Sequence, residues 1–416
     1  MPQTICLSAC FASLRLLGAI ALTSLVFGAC QKQAPKPLPG HWQGQLTLQD
    51  QRILPFDLEW KNDSLMIVAN ASERVAFIDI EYSGDSIFIY HPVFEGEFRG
   101  VVGQDQIQGQ WVKPSLERYV PFKMERTDAP RFTTTDPATE DAGGEWELIF
   151  SAHDPQERYI AKGIFNQADQ QVTGTIRTTT GDYRFLEGVM DRDTLRLSTF
   201  DGAHAFLFEA AVRDSLIYGF FYSGNHWKEP FSGARHPGYK LPDPNSLTYL
   251  KEGFDRFDFS FPNEQGLMVS LSDPGYQNKV VVVQIMGTWC PNCLEESKFL
   301  ANYAREKAHP DLAFVSLAFE YADSEARAWK GINRLKDHLE IPYPILLAQQ
   351  GSSSKTSANE KLPMLNHIIS YPTLLIIDKQ GQVQYIHTGF NGEATGEKYT
   401  EFVEGFEDTI QAVLNN

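Results

Sequence analysis

The chain has 416 residues, of which 42% are hydrophobic and 21% are charged, an ordinary composition for two or three globular domains. This composition excludes a mainly disordered chain, a collagen and a multi-span membrane protein. Acidic residues outnumber basic ones by 53 to 36, and the net charge of -17 argues against nucleic-acid partners, which are polyanions. The five cysteines are too few for a disulfide-dense scaffold, so their positions matter more than their number.

The amino terminus is typical of an export signal. Residues 1–29 contain one base, Arg15, and the apolar run 16–29 ends directly before Cys30. Such a run is too short to span a bilayer but fits the apolar region of a signal peptide. Residues 27–30, Phe-Gly-Ala-Cys, resemble a bacterial lipobox, which predicts removal of the lipoprotein signal peptide and lipidation of Cys30. The alternative is an uncleaved anchor helix, and both interpretations place the rest of the chain outside the cytoplasm.

A tether and two strand-rich segments follow. Residues 30–39 are rich in proline and predict a spacer. Residues 40–127 contain short strand patterns separated by turns, and residues 144–240 repeat them. The segment 128–143 between the two is rich in Thr, Pro, Asp and Gly and is predicted to be a linker. We interpret the two copies as a duplicated all-β module, each a meander of strands closing on itself or against its twin.

The repeat rests on matched residues at offsets between 104 and 110. Gly-His-Trp at 40–42 matches Gly-Glu-Trp at 144–146, and Asp-Gln-Ile at 105–107 matches Asp-Ser-Leu at 214–216. We expect the matched residues to lie in cores and turns. The alternative is a ligand groove lined by tryptophans, whose candidates are Trp42, Trp111, Trp146 and Trp227.

Strand and helix patterns alternate from residue 253 to 416, which predicts an α/β domain. Residues 280–286 form a continuous apolar run, typical of a strand buried on both faces. The predicted helices are 291–307, 324–339 and 398–414, and the other predicted strands are 312–319, 345–347, 373–377 and 383–387.

The chemistry of the chain is concentrated at residues 287–293, Gly-Thr-Trp-Cys-Pro-Asn-Cys. A buried strand leads directly into a helix whose first turn carries Cys290 and Cys293, close enough together to form a disulfide. The first sulfur lies at the helix amino end, where unpaired N–H groups and the helix dipole favour a thiolate. Trp289 would shield the strand edge beside this nucleophile. These features predict a redox-active dithiol.

Two other interpretations of the cysteine pair are weaker. A zinc site needs a second pair of ligands, and His367 and His387 show no close ligand spacing. A purely structural disulfide is disfavoured because so short a loop constrains the unfolded chain little. We therefore expect neither a metal nor an organic cofactor.

Residues 254–416 resemble the thioredoxin superfamily, and within it the exported TlpA/ResA-like branch. The resemblance is carried by the motif at 287–293 with Leu-Glu-Glu after it, by the strand 280–283 and by Tyr-Pro-Thr at 371–373. It implies a thioredoxin-like α/β fold for this region. Together with the duplicated all-β module inferred from the repeat, this predicts a multidomain protein. One departure is Gln284, which stands where thioredoxins keep a buried acid.

The resemblance also implies roles for individual residues. Cys290 would attack a substrate disulfide, and Cys293 would resolve the mixed disulfide, so the two form the redox disulfide. Pro372 would form a cis peptide bond next to the dithiol, with Tyr371 and Trp289 shaping the substrate contact.

Glu296 lies three residues after Cys293, on the same face of the predicted helix. ResA-like proteins have a glutamate at this position, so the resemblance implies a role in proton transfer to and from the thiols. The alternative is a solvated helix glutamate paired with Lys298 or Arg305.

The sequence therefore predicts an exported thiol–disulfide oxidoreductase in the cell envelope, tethered to a membrane by lipid on Cys30 and reducing protein disulfides. Its expected partners are protein thiols and disulfides of the envelope and a membrane redox partner that resets the dithiol. The alternatives are a redoxin-type thiol peroxidase and an envelope binding or scaffold protein that acts through the β modules. The client protein and the choice of inner or outer membrane stay open.

Overall fold

The computed structural model describes residues 36–103 and 105–415. The predicted signal peptide and Cys30 lie outside these residues. Within the described ranges, no helix is both long and apolar enough to cross a membrane. The described residues form two barrel-like sheets, a small two-stranded sheet and a five-stranded sheet flanked by helices.

The first barrel-like sheet has nine strands: β1 (Gly40–Thr47), β2 (Ile53–Asn62), β3 (Leu65–Asn70), β4 (Glu73–Phe77), β5 (Asp79–Ser83), β6 (Ser86–Tyr90), β7 (Glu97–Val102), β8 (Gln106–Lys113) and β9 (Arg118–Arg126). Their order in the sheet is β4-β3-β2-β1-β9-β8-β7-β6-β5. Antiparallel pairing of β1 with β9 joins the two ends of the segment. The edges of the sheet are β4 and β5, which are neighbours in sequence separated by Ile78.

The second barrel has eight strands: β10 (Gly144–Phe150), β11 (Tyr159–Ala168), β12 (Gln171–Thr178), β13 (Leu186–Asp191), β14 (Thr194–Phe200), β15 (Ala205–Arg213), β16 (Leu216–Ser223) and β17 (Trp227–Arg235). Each strand pairs with the next, and pairing of β10 with β17 closes the barrel. Apolar residues alternate along the strands and fill its interior, including Phe150, Phe208 and Phe231.

Trp42 and Trp146 occupy equivalent places in the two barrels, as the repeat predicts. Both are fully buried, and each donates its indole N–H to a carbonyl four residues earlier, at 2.9 Å and 2.8 Å. The ligand-groove alternative is therefore wrong for these two residues, which belong to the cores. Trp111 is also buried, whereas Trp227 is 37% exposed.

The register of the repeat differs by one residue from the prediction in one strand. Ile107 pairs with Val102 in the first barrel, and the equivalent pair in the second is Ile217 with Val212. Leu216, which the sequence matched to Ile107, is 55% exposed. A shift of one residue moves a side chain to the opposite face of a strand, so Ile217 is the core counterpart.

The two barrels pack against each other. The ring of Phe200 in β14 lies 4.7 Å from the ring of Phe56 in the first barrel. The predicted linker contains no helix or strand, but its Arg131 is buried between the barrels. Arg131 Nε donates to Asp57 Oδ2 at 3.0 Å, and its guanidinium lies 3.5 Å from Glu187 of the second barrel. The linker therefore fixes one barrel to the other.

The C-terminal domain is built on a five-stranded sheet in the order β22-β21-β20-β23-β24, with the strands β20 (Val280–Met286), β21 (Leu312–Phe319), β22 (Ile345–Gln349), β23 (Thr373–Ile377) and β24 (Val383–Thr388). The helices are α1 (Pro244–Leu247), α2 (Pro291–Glu306), α3 (Glu325–Leu339), α4 (Lys355–Lys361) and α5 (Glu397–Leu414), and the two-stranded sheet pairs β18 (Ser260–Pro262) with β19 (Met268–Ser270). The central strand β20 is buried along its whole length, parallel to β21 and antiparallel to β23. The α/β fold predicted for this region is confirmed.

Candidate functional site

The dithiol lies where β20 ends and α2 begins. Cys290 has extended backbone angles and caps the helix, with its sulfur accepting the Cys293 N–H at 3.4 Å. Pro291 occupies the first helical turn, where its missing N–H costs no hydrogen bond. Cys290 is 9% exposed and Cys293 is fully buried. The structure therefore brings both sulfurs together at the helix amino end, as the sequence predicts.

The two thiols have opposite acidities. Burial disfavours the thiolate of Cys290, but hydrogen bonds from the Cys293 thiol and from the N–H groups of Cys293 and Asn292 outweigh it. Together with the charge of Lys355, they hold the pKa of Cys290 below its ordinary value. Burial, the hydrogen bond to Cys290 and the neighbouring negative charge raise the pKa of Cys293 well above its ordinary value. Such a pair has one ready nucleophile and one thiol held in reserve.

The aromatic and proline residues implied by the resemblance surround Cys290. The Tyr371–Pro372 peptide bond is cis, and the Cys290 thiol donates to the Tyr371 carbonyl at 3.3 Å. The Trp289 ring lies 5.6 Å from the Tyr371 ring at an angle of 81°. Trp289 Nε1 also donates to the Phe319 carbonyl at 3.0 Å, which fixes the indole against the end of β21.

Glu296 is fully buried within the domain. Its Oε2 accepts a hydrogen bond from Gln284 Nε2 at 2.9 Å, and its Oε1 has no hydrogen-bond partner among the described residues. Burial raises the pKa of Glu296 to about 8. The alternative of a solvated glutamate paired with Lys298 or Arg305 is wrong, because the side chain faces the interior.

Gln284 holds the Glu296 carboxyl in place. Its Oε1 accepts from the hydroxyls of Ser297 at 3.0 Å and Ser316 at 2.8 Å, which turns its amide N–H groups the other way. Those N–H groups face Glu296 and, at 3.5 Å, the carbonyl of Cys293. The residue that departs from the thioredoxin pattern is therefore an orienting group of the site.

A second buried carboxyl, Glu320, was not found from the sequence. It accepts from Thr288 twice, from the backbone N–H at 2.8 Å and from the hydroxyl at 2.7 Å. Burial raises the pKa of Glu320 to about 7. A single glutamate just after a strand carries no sequence signal that distinguishes it from a surface residue.

The second barrel also reaches the site, which the sequence did not predict. Residues 179–185, between β12 and β13, lie against the α/β domain, and we name them the cap loop. The Thr180 carbonyl accepts from Ser370 Oγ at 2.8 Å, and Asp182 Oδ2 accepts from Gly392 N–H at 2.7 Å. Both contacts involve segments that flank the dithiol.

Arg184 in the cap loop joins all three bodies. Its Nε donates to Glu73 of the first barrel at 3.1 Å and lies 3.4 Å from Asp201 of the second barrel. Its guanidinium lies 3.3 Å from Glu295, the residue before Glu296 in α2. Arg184 is only 9% exposed, so its single positive charge offsets part of the negative charge of these three carboxylates away from bulk water.

A cavity of about 270 Å³ lies beside the site and is lined by both barrels and the α/β domain. Its walls include Trp111 and Lys113 of the first barrel, His204 of the second, and Trp289 and Tyr321 of the domain. The sequence suggested two tryptophans of the first barrel for a ligand groove, Trp42 and Trp111, and both are buried. Of these two, Trp111 borders this cavity.

Comparisons with known proteins agree with this geometry. The sequence profile of the redoxin family matches residues 253–401. Over these residues the C-terminal region is thioredoxin-like and is similar to the redoxin family. Below we refer to the region as the thioredoxin-like domain.

Curated relatives and solved structures cover only part of the chain. The thioredoxin-like protein YneN of Bacillus subtilis is 29% identical over 140 residues, which is 34% of this chain and 73% of that protein. The thiol:disulfide interchange protein DsbE of Pasteurella multocida is 29% identical over 113 residues, which is 27% of this chain and 52% of that protein. A thiol-disulfide oxidoreductase structure from Bacteroides fragilis has 20% identity and a TM-score of 0.27, covering 36% of this chain and 98% of its own.

Proposed function

We propose that the protein is an exported, lipid-tethered thiol–disulfide oxidoreductase of the TlpA/ResA-like branch that reduces protein disulfides in the cell envelope. The observation that carries the proposal is the unequal pair of thiols. Cys290 has a lowered pKa beside the Tyr371 carbonyl, and Cys293 has a raised pKa beneath it. The DsbE relatives, whose names describe thiol:disulfide interchange, support the same chemistry.

In the first step, the Cys290 thiolate attacks one sulfur of a substrate disulfide. The substrate S–S bond breaks, a bond forms between Cys290 Sγ and that sulfur, and the other substrate sulfur leaves as a thiolate that takes up a proton. Trp289, Tyr371 and Pro372 line the approach to Cys290 and would orient the substrate segment. The lowered pKa of Cys290 supplies the attacking thiolate near neutral pH.

In the second step, Cys293 loses its proton and attacks Cys290 Sγ. The mixed disulfide breaks, the Cys290–Cys293 disulfide forms, and the second substrate sulfur leaves as a thiol. Two electrons pass from the dithiol to the substrate, and its two sulfurs gain two protons. Because the pKa of Cys293 is raised, this step needs a base, and Oε1 of Glu296, which has no hydrogen-bond partner in the described part of the chain, is suited to accept the proton.

The dithiol is tested with two cysteine variants. Cys290→Ser is expected to abolish reduction of insulin disulfides. The assay measures precipitation of the insulin B chain in the presence of dithiothreitol. Cys293→Ala is expected to accumulate mixed disulfides through Cys290, which can be isolated from envelope extracts to identify the clients. Retention of full insulin reduction by Cys290→Ser would contradict the proposal.

The direction of the reaction is tested by the reduction potential of the dithiol. A reducing protein is expected to lie near the value of thioredoxin, about -270 mV, and an oxidising one near that of DsbA, about -120 mV. Equilibration with glutathione buffers, with Cys290 and Cys293 trapped by alkylation, measures this potential. A value near the oxidising end would overturn the reducing role and the need for a membrane partner that returns electrons to the dithiol.

The tether is proposed from the apolar run before Cys30 and the proline-rich segment after it. Cys30→Ser is expected to prevent incorporation of labelled palmitate and to keep the signal segment on the chain. Labelling that persists in Cys30→Ser would show that another site is modified.

A further inference from the structure

The cap loop touches three segments near Cys290, at Asn292, at Ser370 and at residues 390–392. Thr180 contacts Ser370, which directly precedes the cis Tyr371–Pro372 bond. Asp182 accepts from the backbone of Gly392, and β12 adds a hydrogen bond from Arg177 Nε to Asn391 Oδ1 at 2.8 Å. These contacts put a segment of the second barrel on the surface where the dithiol opens.

Glycines in the cap loop and in the facing segment of the thioredoxin-like domain let the two backbones approach closely. A methyl group at Gly181 would overlap the Asn292 side-chain amide, which lies between the two cysteines in sequence, and would lie 3.1 Å from the Phe390 carbonyl. A methyl group at Gly389 would lie 2.7 Å from the Thr180 carbonyl group. Gly181 also forms a parallel β-bridge with Phe390. The approach is therefore closer than residues with side chains allow.

The cap loop is a preformed hairpin end. Thr178 N–H donates to the Gly181 carbonyl at 2.7 Å, and Tyr183 N–H donates to the Ile176 carbonyl at 2.9 Å. The Asp182 carboxylate also accepts the Arg184 N–H, and Asp182 is only 5% exposed. These hydrogen bonds within the second barrel fix the conformation of the loop, which presents an extended backbone to the thioredoxin-like domain.

A protein disulfide needs this same surface. The attacking sulfur must lie in line with the S–S bond it breaks, so the polypeptide that carries the disulfide has to lie across the residues flanking Cys290. Cys290 is 9% exposed with the cap loop in place. The loop meets the domain through a backbone carbonyl and a β-bridge, which are contacts that any extended polypeptide can make.

We propose that the cap loop is an intramolecular occupant of the substrate-docking surface, which an extended, disulfide-bearing polypeptide segment displaces when it reacts with Cys290. This inference rests on the proposed oxidoreductase function and deepens it by naming what competes with the substrate. Small disulfides need less of the surface and are less affected by the loop.

Gly181→Ala tests the proposal by pushing the loop away from Asn292 and Phe390. The rate constants for insulin and for bis(2-hydroxyethyl) disulfide are measured with the full chain. We expect the insulin rate to rise about threefold to tenfold, the factor that one lost hydrogen bond gives, and the small-disulfide rate to rise less. Gly238→Ala is the matched control, because Gly238 also has a positive φ but open space around it, and it should change neither rate.

Ser370→Ala is a second variant that removes one hydrogen bond to the loop without adding bulk. It should shift the ratio of the two rates in the same direction. Unchanged or lower insulin rates in both variants, with melting temperatures equal to that of the parent protein, would overturn the proposal while the oxidoreductase function stands. A parent protein that reduces neither disulfide would instead overturn the proposed function, and the cap inference with it.

Discussion

The two barrels begin alike and differ in several connections, of which one differs most in length. In the first, the two residues Ala71 and Ser72 join β3 to β4, whereas in the second the cap loop, residues 179–185, joins β12 to β13. The short turn returns the chain directly into the sheet. The longer connection extends past the barrel rim and contacts the thioredoxin-like domain beside the dithiol. A few additional residues in one hairpin therefore convert a structural repeat into a part of the active-site surface.

The first barrel still takes part, through the residue that follows its short turn. Glu73 at the start of β4 is buried and binds Arg184 of the cap loop. The first barrel thus holds the base of the loop, and the second barrel presents its tip to the domain. The comparison predicts that the arginines at the two equivalent turns contribute very differently to the free energy of unfolding.

Arg184→Met tests this contrast with the largest expected effect on stability. Removing the guanidinium leaves Glu73, Asp201 and Glu295 close together without the positive charge they share, at a cost of about 3–5 kcal/mol in the free energy of unfolding. Arg74→Met, at the short turn of the first barrel, removes an exposed side chain that donates to the Ala71 and Glu73 carbonyls, and should cost less than about 0.5 kcal/mol.

Guanidinium unfolding followed by circular dichroism measures both free energies. Equal losses in the two arginine variants would show that the buried ion cluster does not distinguish the barrels. A second readout is the insulin rate, which should rise in Arg184→Met because the loop loses its anchor and should be unaffected in Arg74→Met.

The sequence predicts the parts of this arrangement that depend on local patterns. The unbroken apolar run of β20 and the motif that follows it identify the fold and the dithiol, because a buried strand leading into a capped helix needs those residue types. The spacing of Cys293 and Glu296 places them on one helix face. The burial of Glu296 could not be predicted, because it depends on Gln284 and Ser316 from neighbouring strands.

The cap loop could not be predicted either. Its residues, Thr-Thr-Gly-Asp-Tyr-Arg-Phe, have the composition of an ordinary turn. What distinguishes them is contact with Asn292, Ser370 and Gly392, which lie more than a hundred residues away. Periodicity and turn composition describe neighbours in sequence and carry no information about such a distant surface.

Glu296→Gln tests the buried side of the site separately from the surface that the barrels contact. Glu296 is protonated below a pH of about 8 and ionised above it, so it accepts a proton more readily as the pH rises toward that value. We expect the second step to accelerate with pH up to about 8 in the parent protein. In Glu296→Gln this step should slow by about 100-fold and lose that dependence.

Stopped-flow tryptophan fluorescence follows the second step when a mixed disulfide on Cys290, held at acid pH where Cys293 is protonated, is jumped to final values between pH 6 and pH 9. The first step should change less than the second, since the groups that lower the pKa of Cys290 are Cys293, Asn292 and Lys355 rather than this carboxyl. Glu296→Gln should cause the same loss when it is combined with Gly181→Ala, because the cap loop does not contact Glu296. A pH profile that is unaltered by Glu296→Gln would remove the residue from the proton pathway.

Phe200→Leu has the smallest expected effect and tests whether the barrels are energetically separate. Phe200 belongs to β14 of the second barrel, yet its ring packs against Phe56 and Trp111 of the first. Phe208→Leu is the control, since the aromatic neighbours of Phe208 lie within the second barrel. Each substitution should cost about 1–2 kcal/mol. Hydrogen exchange should show lost protection in β2 for Phe200→Leu and not for the Phe208 variant, because of these two rings Phe200 alone packs in both cores. Loss of protection confined to the second barrel in Phe200→Leu would show that the two cores are independent.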